Sequence, residues 1–469
     1  MMSIFRTKSI ELLKQEASKH SLRKSLTAID IIMLGIGVII GTGIFVLTGV
    51  AAAKYAGPGL MLSFVLAGIT CAFVCLAYSE LASMVPIAGS AYTYTYTSLG
   101  EFIAWLVGWN LILEYSVGAS AVAGGWSAYT VGILKTAGIE VPKALTAVPA
   151  DGGIVNLPAV LITLFLTFLL VKGVRESANA NRILVAIKLA AIFLFIFLAG
   201  PKVNAANWEP FLPYGWAGVS AGAAFIFFAY LGVDSIATAA EETHNPSRDM
   251  PIGIIGSLAV CTVLYITVTA IMTGVVPYSQ LNTAEPVSYV LRSIGYNFGS
   301  ALVGTGAIAG LSTVLLVMIY AQTRAFFAMS RDGLIPSKVC KVHPKYGTPH
   351  IITIIVGVAV ALISGFTPIH VVAEMCSIGT LFAFIIAMIG VMVLRKTKPD
   401  AERPFRCPSL TFVAVCAILF CLYIMINLAT GTWIRFVVWS LIGIAIYFLY
   451  GRSHSVLNKD SEQSDTKDK

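Results

Sequence analysis

Charge is scarce in this 469-residue chain: only 12% of residues are Asp, Glu, Lys or Arg, against 57% hydrophobic, and the mean hydropathy is +0.85. A soluble domain of this length could not stay dispersed with so little charge, so an integral membrane protein is implied. Other features are missing too. There is no H-E-x-x-H and no Walker lysine, and the six His are scattered, chiefly in loops, which argues against a zinc peptidase and an ATP-driven pump. There is no C-x-x-C pair. The eight cysteines, Cys71, Cys75, Cys261, Cys340, Cys376, Cys407, Cys416 and Cys421, fall mainly inside apolar runs without His-rich neighbours. They read as buried small hydrophobes, not as a disulfide framework or a zinc site. A cleavable leader is not expected, because roughly 25 polar, Lys/Arg-bearing residues precede the first apolar run, which also outlasts a signal core.

What is present is a series of long apolar runs. A hydrocarbon core about 30 Å thick needs about 20 apolar residues per helix. Twelve such runs occur, near 28–52, 59–84, 102–132, 155–172, 180–200, 217–240, 251–276, 299–328, 350–365, 370–394, 409–429 and 433–451. With the N-terminus inside, the inner loops and adjoining helix ends hold fourteen basic residues: Lys172, Arg175, Arg182, Arg248, Arg324, Arg331, Lys338, Lys341, Lys345, Arg395, Lys396, Lys398, Arg403 and Arg406. The outer loops and helix ends hold six, Lys54, Lys135, Lys143, Lys202, Arg292 and Arg435, so both termini are expected in the cytoplasm. The net charge of +8 thus reflects topology, and no nucleic-acid partner is expected. Ser9 to Ala17 has an amphipathic pattern that suits either the inner membrane surface or a solvated helix, and the tail SEQSDTKDK reads as disordered.

Two spans carry interruptions near the midplane. The first contains GIGVIIGTGIF, Gly35 to Phe45, and the sixth contains FIFFAYLGVDSI, Phe225 to Ile236, broken at Ala229 to Gly232. The first stretch is not a dinucleotide loop: the third glycine of G-x-G-x-x-G falls one residue late and both flanks are apolar. Likewise GVSAG, Gly218 to Gly222, opens an apolar helix with no strand before it and is no nucleophile elbow. Interrupted spans five helices apart point to an inverted-repeat transporter with its binding site at the breaks. Bare backbone groups are tolerated in a membrane only inside protein or facing a cavity, and each break exposes helix ends of opposite partial charge. A zwitterion fits such a pair. Its carboxylate would sit on amides around Thr42, Gly43 and Ile44, and its ammonium on carbonyls near Ile39, Phe228, Ala229 and Leu231. Gly41 and Gly232 are expected to shape the breaks, while Gly35 and Gly37 serve packing and the approach of the fifth span.

Four groups of charges stand out. Lys188 lies in the middle of NRILVAIKLAAIFLFIF, where a cation is costly and by default functional. It could hydrogen-bond carbonyls of the first span near Gly37 to Ile40 and exchange a proton there, against the alternative of a paired structural lysine. Glu114, mid-span in LVGWNLILEYSVGA, fits coupling, polarisation of the pocket or a structural carboxyl equally. Asp234 follows the second break and is expected to stabilise the new helix end. Glu80, Glu241 and Glu242, near inner helix ends, read as solvated loop charges, with gate ion pairs the alternative.

The stretches IGVIIGTGIFVLTGVAAAKYAGPG, AYSELASMVPIAGSAYTYTY, FFAYLGVDSIATAAEETHNPSRDMPIGI and FAMSRDGLIP resemble the amino acid–polyamine–organocation transporter superfamily, in particular the cationic amino acid transporter family and its bacterial proton-coupled members. The resemblance runs from about Ser25 to Tyr450. It implies an all-α polytopic protein of twelve transmembrane helices with a LeuT-like five-plus-five inverted repeat. It also implies a cytoplasmic segment at 1–25, repeats at 26–200 and 201–396, two further helices at 397–452 and a cytoplasmic tail at 453–469. Thr42 and Gly43 then fall at the carboxylate site, and Phe228, Ala229 and Leu231 at the ammonium site, with Phe228 as an aromatic gate. Met318 falls on the side-chain pocket, where methionine goes with small neutral amino acids and a smaller residue with cationic ones. The implied activity is proton-coupled amino acid symport in the bacterial cell membrane by alternating access, with exchange or sensing as alternatives. It implies no cofactor beyond protons as coupling ion, no enzymatic activity, lipid surroundings and a functional monomer.

Overall fold

The computed structural model describes residues 6–9, 26–84, 90–173, 178–233, 236, 239 and 242–458, and within these there is no strand. Residues 10–17 of the amphipathic stretch, Arg175, Asp234, Glu241 and the tail from 459 onward lie outside the described residues.

The chain is a succession of apolar helices. The first, α1 (Ala28–Ile39), starts at a reciprocal cap: the Thr27 amide donates to the Asp30 carboxylate and the Asp30 amide to the Thr27 hydroxyl, which satisfies two donors of the opening turn. After a break the helix resumes from Gly43 and runs to Ala56, turns at Gly57-Pro58-Gly59, and returns as α2 (Leu60–Met84). Gly57 has φ +59°, a conformation open to glycine. There follow α3 (Ser90–Ser98), α4 (Glu101–Thr136), α5 (Leu157–Val171), α6 (Ala178–Ala199) and α7 (Gly215–Ile226). The remainder comprises α8 (Pro246–Val275), α9 (Pro286–Ser293), α10 (Asn297–Arg331), α11 (His350–Phe366), α12 (Ile369–Thr397), α13 (Leu410–Ile426) and α14 (Thr430–Ile446).

Among the described residues, seven helical segments are long and apolar enough to cross a membrane, Gly43–Met84 being one. Five shorter apolar helices include α1 and the segment Gly215–Tyr230. Those two fall short of the roughly 20 residues a span needs because each is one arm of a broken helix. The exterior is apolar where helices face outward: Phe197 is 76% exposed and Ile426 74%. Such a surface suits lipid, not water, and makes this an all-α, multi-pass membrane protein.

Packing sorts the helices around the breaks. α8 lies along α1 and α2, while α10 and α12 lie along α4, and α6 packs on α10. On one end of the molecule, Arg6 donates to the Leu457 carbonyl and the Asn458 side chain, and Lys8 pairs with Asp332 at 2.5 Å. Asp332 also accepts from Tyr92, and Glu101 from Tyr96, Tyr447 and Ser455, so the two ends of the chain are joined through buried carboxylates.

Glu80 corrects an expectation. It is not a solvated loop charge: only 1% exposed, it takes Arg395 at 2.6 and 3.2 Å, Arg403 at 3.3 Å and the Cys407 amide at 2.8 Å. A buried carboxylate needs such saturation, since several kcal/mol of lost hydration must be offset.

Candidate substrate site at two broken helices

α1 ends at Ile39; Ile40 turns extended at ψ 104°, and a wider π-helical turn begins at Gly43. The Phe45 amide reaches back to the Gly41 carbonyl, but the amides before it have no preceding turn to donate into. Beside them the Thr42 hydroxyl is fully buried with no hydrogen-bond partner among the described residues. The second break has a different geometry. α7 tightens into a 3-10 turn, Phe227–Tyr230, then Leu231 goes extended at ψ 140° and Gly232 takes φ +93°. A side chain at Gly232 would be strained, and its Cβ would lie 2.3 Å from Val38 Cγ1.

The breaks touch each other. A Cβ on Gly43 would sit 2.4 Å from the Cα of Ala229, so only glycine lets the two backbones come this close. Between them is a cavity of about 10 Å³, lined by Val38, Ile39, Gly41, Thr42, Gly43, Val122, Phe228, Leu231, Val314 and Met318. That is room for roughly one water, so the site is contracted in this structure. Its polar face is the backbone and Thr42; its other walls are aliphatic or aromatic.

Six of the eight predicted substrate residues line this cavity: Ile39, Thr42, Gly43, Phe228, Leu231 and Met318. Gly41 joins them. Ala229 stands immediately behind, against Gly43, and the Ile44 carbonyl accepts from Thr48 at 2.7 Å. Val38, Val122 and Val314 were not anticipated; Val314 lies one turn from Met318 on α10, a spacing that could have flagged it. Tyr265 of α8 was also missed. Fully buried, its hydroxyl lies 2.9 Å from the Ile39 carbonyl and 2.8 Å from that of Ala229, bridging the two breaks. Each carbonyl has two lone pairs, so each keeps one for another donor. The Phe228 carbonyl accepts from the Leu231 amide.

Lys188 sits on α6, fully buried, with its ammonium donating to the carbonyls of Gly37 and, at 3.2 Å, Ile40. Its stem lies over Gly310 of α10, where a Cβ would come within 2.7 Å of Lys188 Cγ. One side chain thereby ties α6 and α10 to the carbonyls released at the first break. Gly37 contributes to this approach, but Gly35 does not: it faces Ser257 of α8, whose Oγ would be 2.5 Å from an added Cβ. Glu114 is buried on α4 and does not line the cavity; its backbone carbonyl accepts from Cys376. It stands one turn from Gly118, where an added Cβ would lie 3.2–3.4 Å from side-chain atoms of Cys376, Leu231 and Met318.

Residues 26–451 match the amino acid permease family. The chain belongs to that family. The permease is 50% identical to the branched-chain amino acid permease BcaP of Bacillus subtilis (strain 168), over 97% of this chain and 99% of the relative. It is 46% identical to the methylthioribose transporter of the same organism, over 98% of this chain and all of the relative. It is 32% identical to the vacuolar cationic amino acid transporter 4 of Arabidopsis thaliana, over 98% and 97%. As a permease it is a membrane transporter and not an enzyme.

Proposed function

We propose that this permease is a secondary active transporter of neutral, branched or small aliphatic L-amino acids, working by alternating access and driven by protons. The observation that carries this reading is the juxtaposition of the two helix breaks over an aliphatic wall, Val38, Val122, Val314, Leu231 and Met318. Backbone amides and the Thr42 hydroxyl suit a carboxylate, the remaining lone pairs of the Ile39 and Ala229 carbonyls suit an ammonium, and the wall offers no charge to a side chain. The name of the Bacillus branched-chain relative agrees with an aliphatic pocket. Opening of the contracted cavity would accompany binding.

The same reading carries the finer architecture: twelve spans, a five-plus-five inverted repeat divided as 26–200 and 201–396, helices 397–452 beyond it, and both termini in the cytoplasm of a bacterial cell. Lys188 is its coupling residue, with no cofactor beyond the proton, and a single chain is the working unit.

The methylthioribose relative makes a neutral thioether sugar the second reading, favoured by a wall without charge and by a Thr42 hydroxyl that could meet a sugar hydroxyl as well as a carboxylate. Proteoliposome uptake decides between them. Labelled leucine, valine, alanine, arginine and methylthioribose are each offered with and without an inward proton gradient. Accumulation of leucine or valine above the outside concentration, in competition with alanine and not arginine, is expected. Accumulation of methylthioribose alone would overturn the amino acid assignment. Strict one-for-one exchange would replace symport by antiport, and binding without movement would make the protein a sensor.

A further inference from the structure

A second cavity, of about 20 Å³ and open to the surface, lies where the end of α5 and the Tyr320–Arg324 turn of α10 meet the start of α11. It is separate from the substrate cavity, with which it shares no lining residue. Leu170 and Gly173 form one side, Tyr320 and Arg324 another, and Thr348 and Pro349 the rim. The rim is built, not loose: the Thr348 hydroxyl donates to the Val171 carbonyl at 2.7 Å, the His343 amide to the Thr348 carbonyl at 2.8 Å, and the Gly347 amide to the His343 carbonyl at 2.9 Å.

Among the described residues the charged member of the lining is Arg324, and Lys172 precedes Gly173 of the lining in the chain. The Arg324 guanidinium lies 4.9 Å from the centre of the Tyr320 ring, and the ammonium of Lys172, next to Gly173, lies 4.5 Å from the Phe168 ring. Neither cation has an ion pair among the described residues, whose ion pairs use Asp30, Glu80, Glu285 and Asp332. A guanidinium stacked on a ring keeps its N–H edges free for two parallel hydrogen bonds to oxygens. The seventeen-residue α11 begins at the same rim, so its first amides add partial positive charge. Phe168 stands in the last turn of α5, and Tyr320 stands three turns before the end of α10, beside the first turn of α11.

We propose that the surface at the mouth of this cavity binds the phosphate of an anionic phospholipid, with Arg324 of the lining and Lys172 beside Gly173 as the recognising cations and the acyl chains lying along the exposed apolar faces of α5 and α11, where Phe165 and Leu362 point outward. Basic pockets between membrane helices hold anionic headgroups because neighbouring cations attract the phosphate charge, and both Arg324 and Lys172 are exposed to receive it. The inference needs no substrate assignment.

The test uses the purified full chain in detergent, with retained lipid counted by native mass spectrometry and thermal stability read in parallel. Phosphatidylglycerol, phosphatidylcholine and inorganic phosphate are added separately. Wild type is expected to retain phosphatidylglycerol and gain stability from it, and to respond to neither of the others. The Arg324→Ala, Lys172→Ala double variant is expected to bind phosphatidylglycerol about tenfold more weakly, the size of one charge-assisted hydrogen bond. Arg324→Lys, which keeps charge but not the paired N–H edges, is expected to fall between, and provides the comparison if the double variant does not fold. Equal retention of phosphatidylcholine, or an unchanged phosphatidylglycerol count in a folded variant, would overturn the proposal. A matching response to inorganic phosphate would assign the site to a soluble anion and overturn the lipid.

Discussion

Gly41 and Gly43 stand two residues apart and carry different demands. A methyl at Gly43 would press on the backbone of Ala229, which cannot yield without separating the two breaks, whereas one at Gly41 would meet Val314 methyls at 3.6 Å, an ordinary contact. Gly43→Ala is therefore expected to abolish uptake, and Gly41→Ala to fold, keep transport of alanine and lose most transport of leucine because it fills the cavity. Uptake rates with thermal melting as a folding control check both. Met318→Ser shortens the wall on the other side and is expected to let arginine compete; unchanged competition would remove Met318 from the side-chain pocket. The glycine-rich stretch was legible as a break in the sequence because a helix cannot hold so many glycines cheaply, at about 1 kcal/mol each. Which glycine the crossing requires was not legible, since that depends on a backbone almost two hundred residues away. Val38 and Val122 gave no signal at all, being aliphatic residues in aliphatic helices, and Val314 only its spacing from Met318.

At the scale of elements, Glu80 joins α2 to α12 and to the loop before α13 through Arg395, Arg403 and the Cys407 amide. Removing one partner of a buried ion pair leaves the other unpaired and costs about 3–5 kcal/mol. Glu80→Gln keeps the shape and loses the charge, so a lower melting temperature is expected, and a larger loss with Glu80→Ala. Cys407 reports the same junction. Burial and then the Glu80 carboxylate push its thiol up to about 11, so at pH 7.5 the thiolate is rare and maleimide labelling should be slow. Glu80→Gln removes the repelling charge and loosens the packing, both of which favour the thiolate, so labelling should accelerate; an unchanged rate would detach Cys407 from the cluster. The sequence exposed the charges but not this pairing. Glu80 and Arg395 are 315 residues apart, and a carboxylate at a helix end looks the same whether it faces water or a guanidinium. Helices, by contrast, were legible almost to their ends, because about 20 apolar residues in a row have few other fates. The first run continues past its expected end to Ala56, and α4 extends to Thr136, since a protein-packed helix need not stop at the edge of the lipid.

At the scale of the whole molecule, the proposed proton coupling makes Lys188 the residue that would connect a gradient to the cavity. Its ammonium holds the Gly37 and Ile40 carbonyls of α1 from one side while Tyr265 holds Ile39 and Ala229 from another, so the first break is fixed by two donors on two different helices. On the proposed coupling, a charged Lys188 would favour this contracted arrangement, and a neutral one, with fewer donors and no net charge to offer the carbonyls, would free α1 to swing. Coupling by this route predicts a separation of functions. Lys188→Ala should still bind leucine, since the lysine does not line the cavity, and should still exchange internal for external leucine. It should fail to accumulate leucine when the outside is acidified, whereas wild type accumulates it, with or without sodium. Thermal shift with leucine, counterflow, and uptake driven by a pH step measure the three properties on one preparation. Accumulation by the variant equal to wild type would make Lys188 a structural tie alone. A strict requirement for sodium in wild type would hand the coupling to a metal ion, and Lys188 would then be only the bolt that holds the broken helix in place.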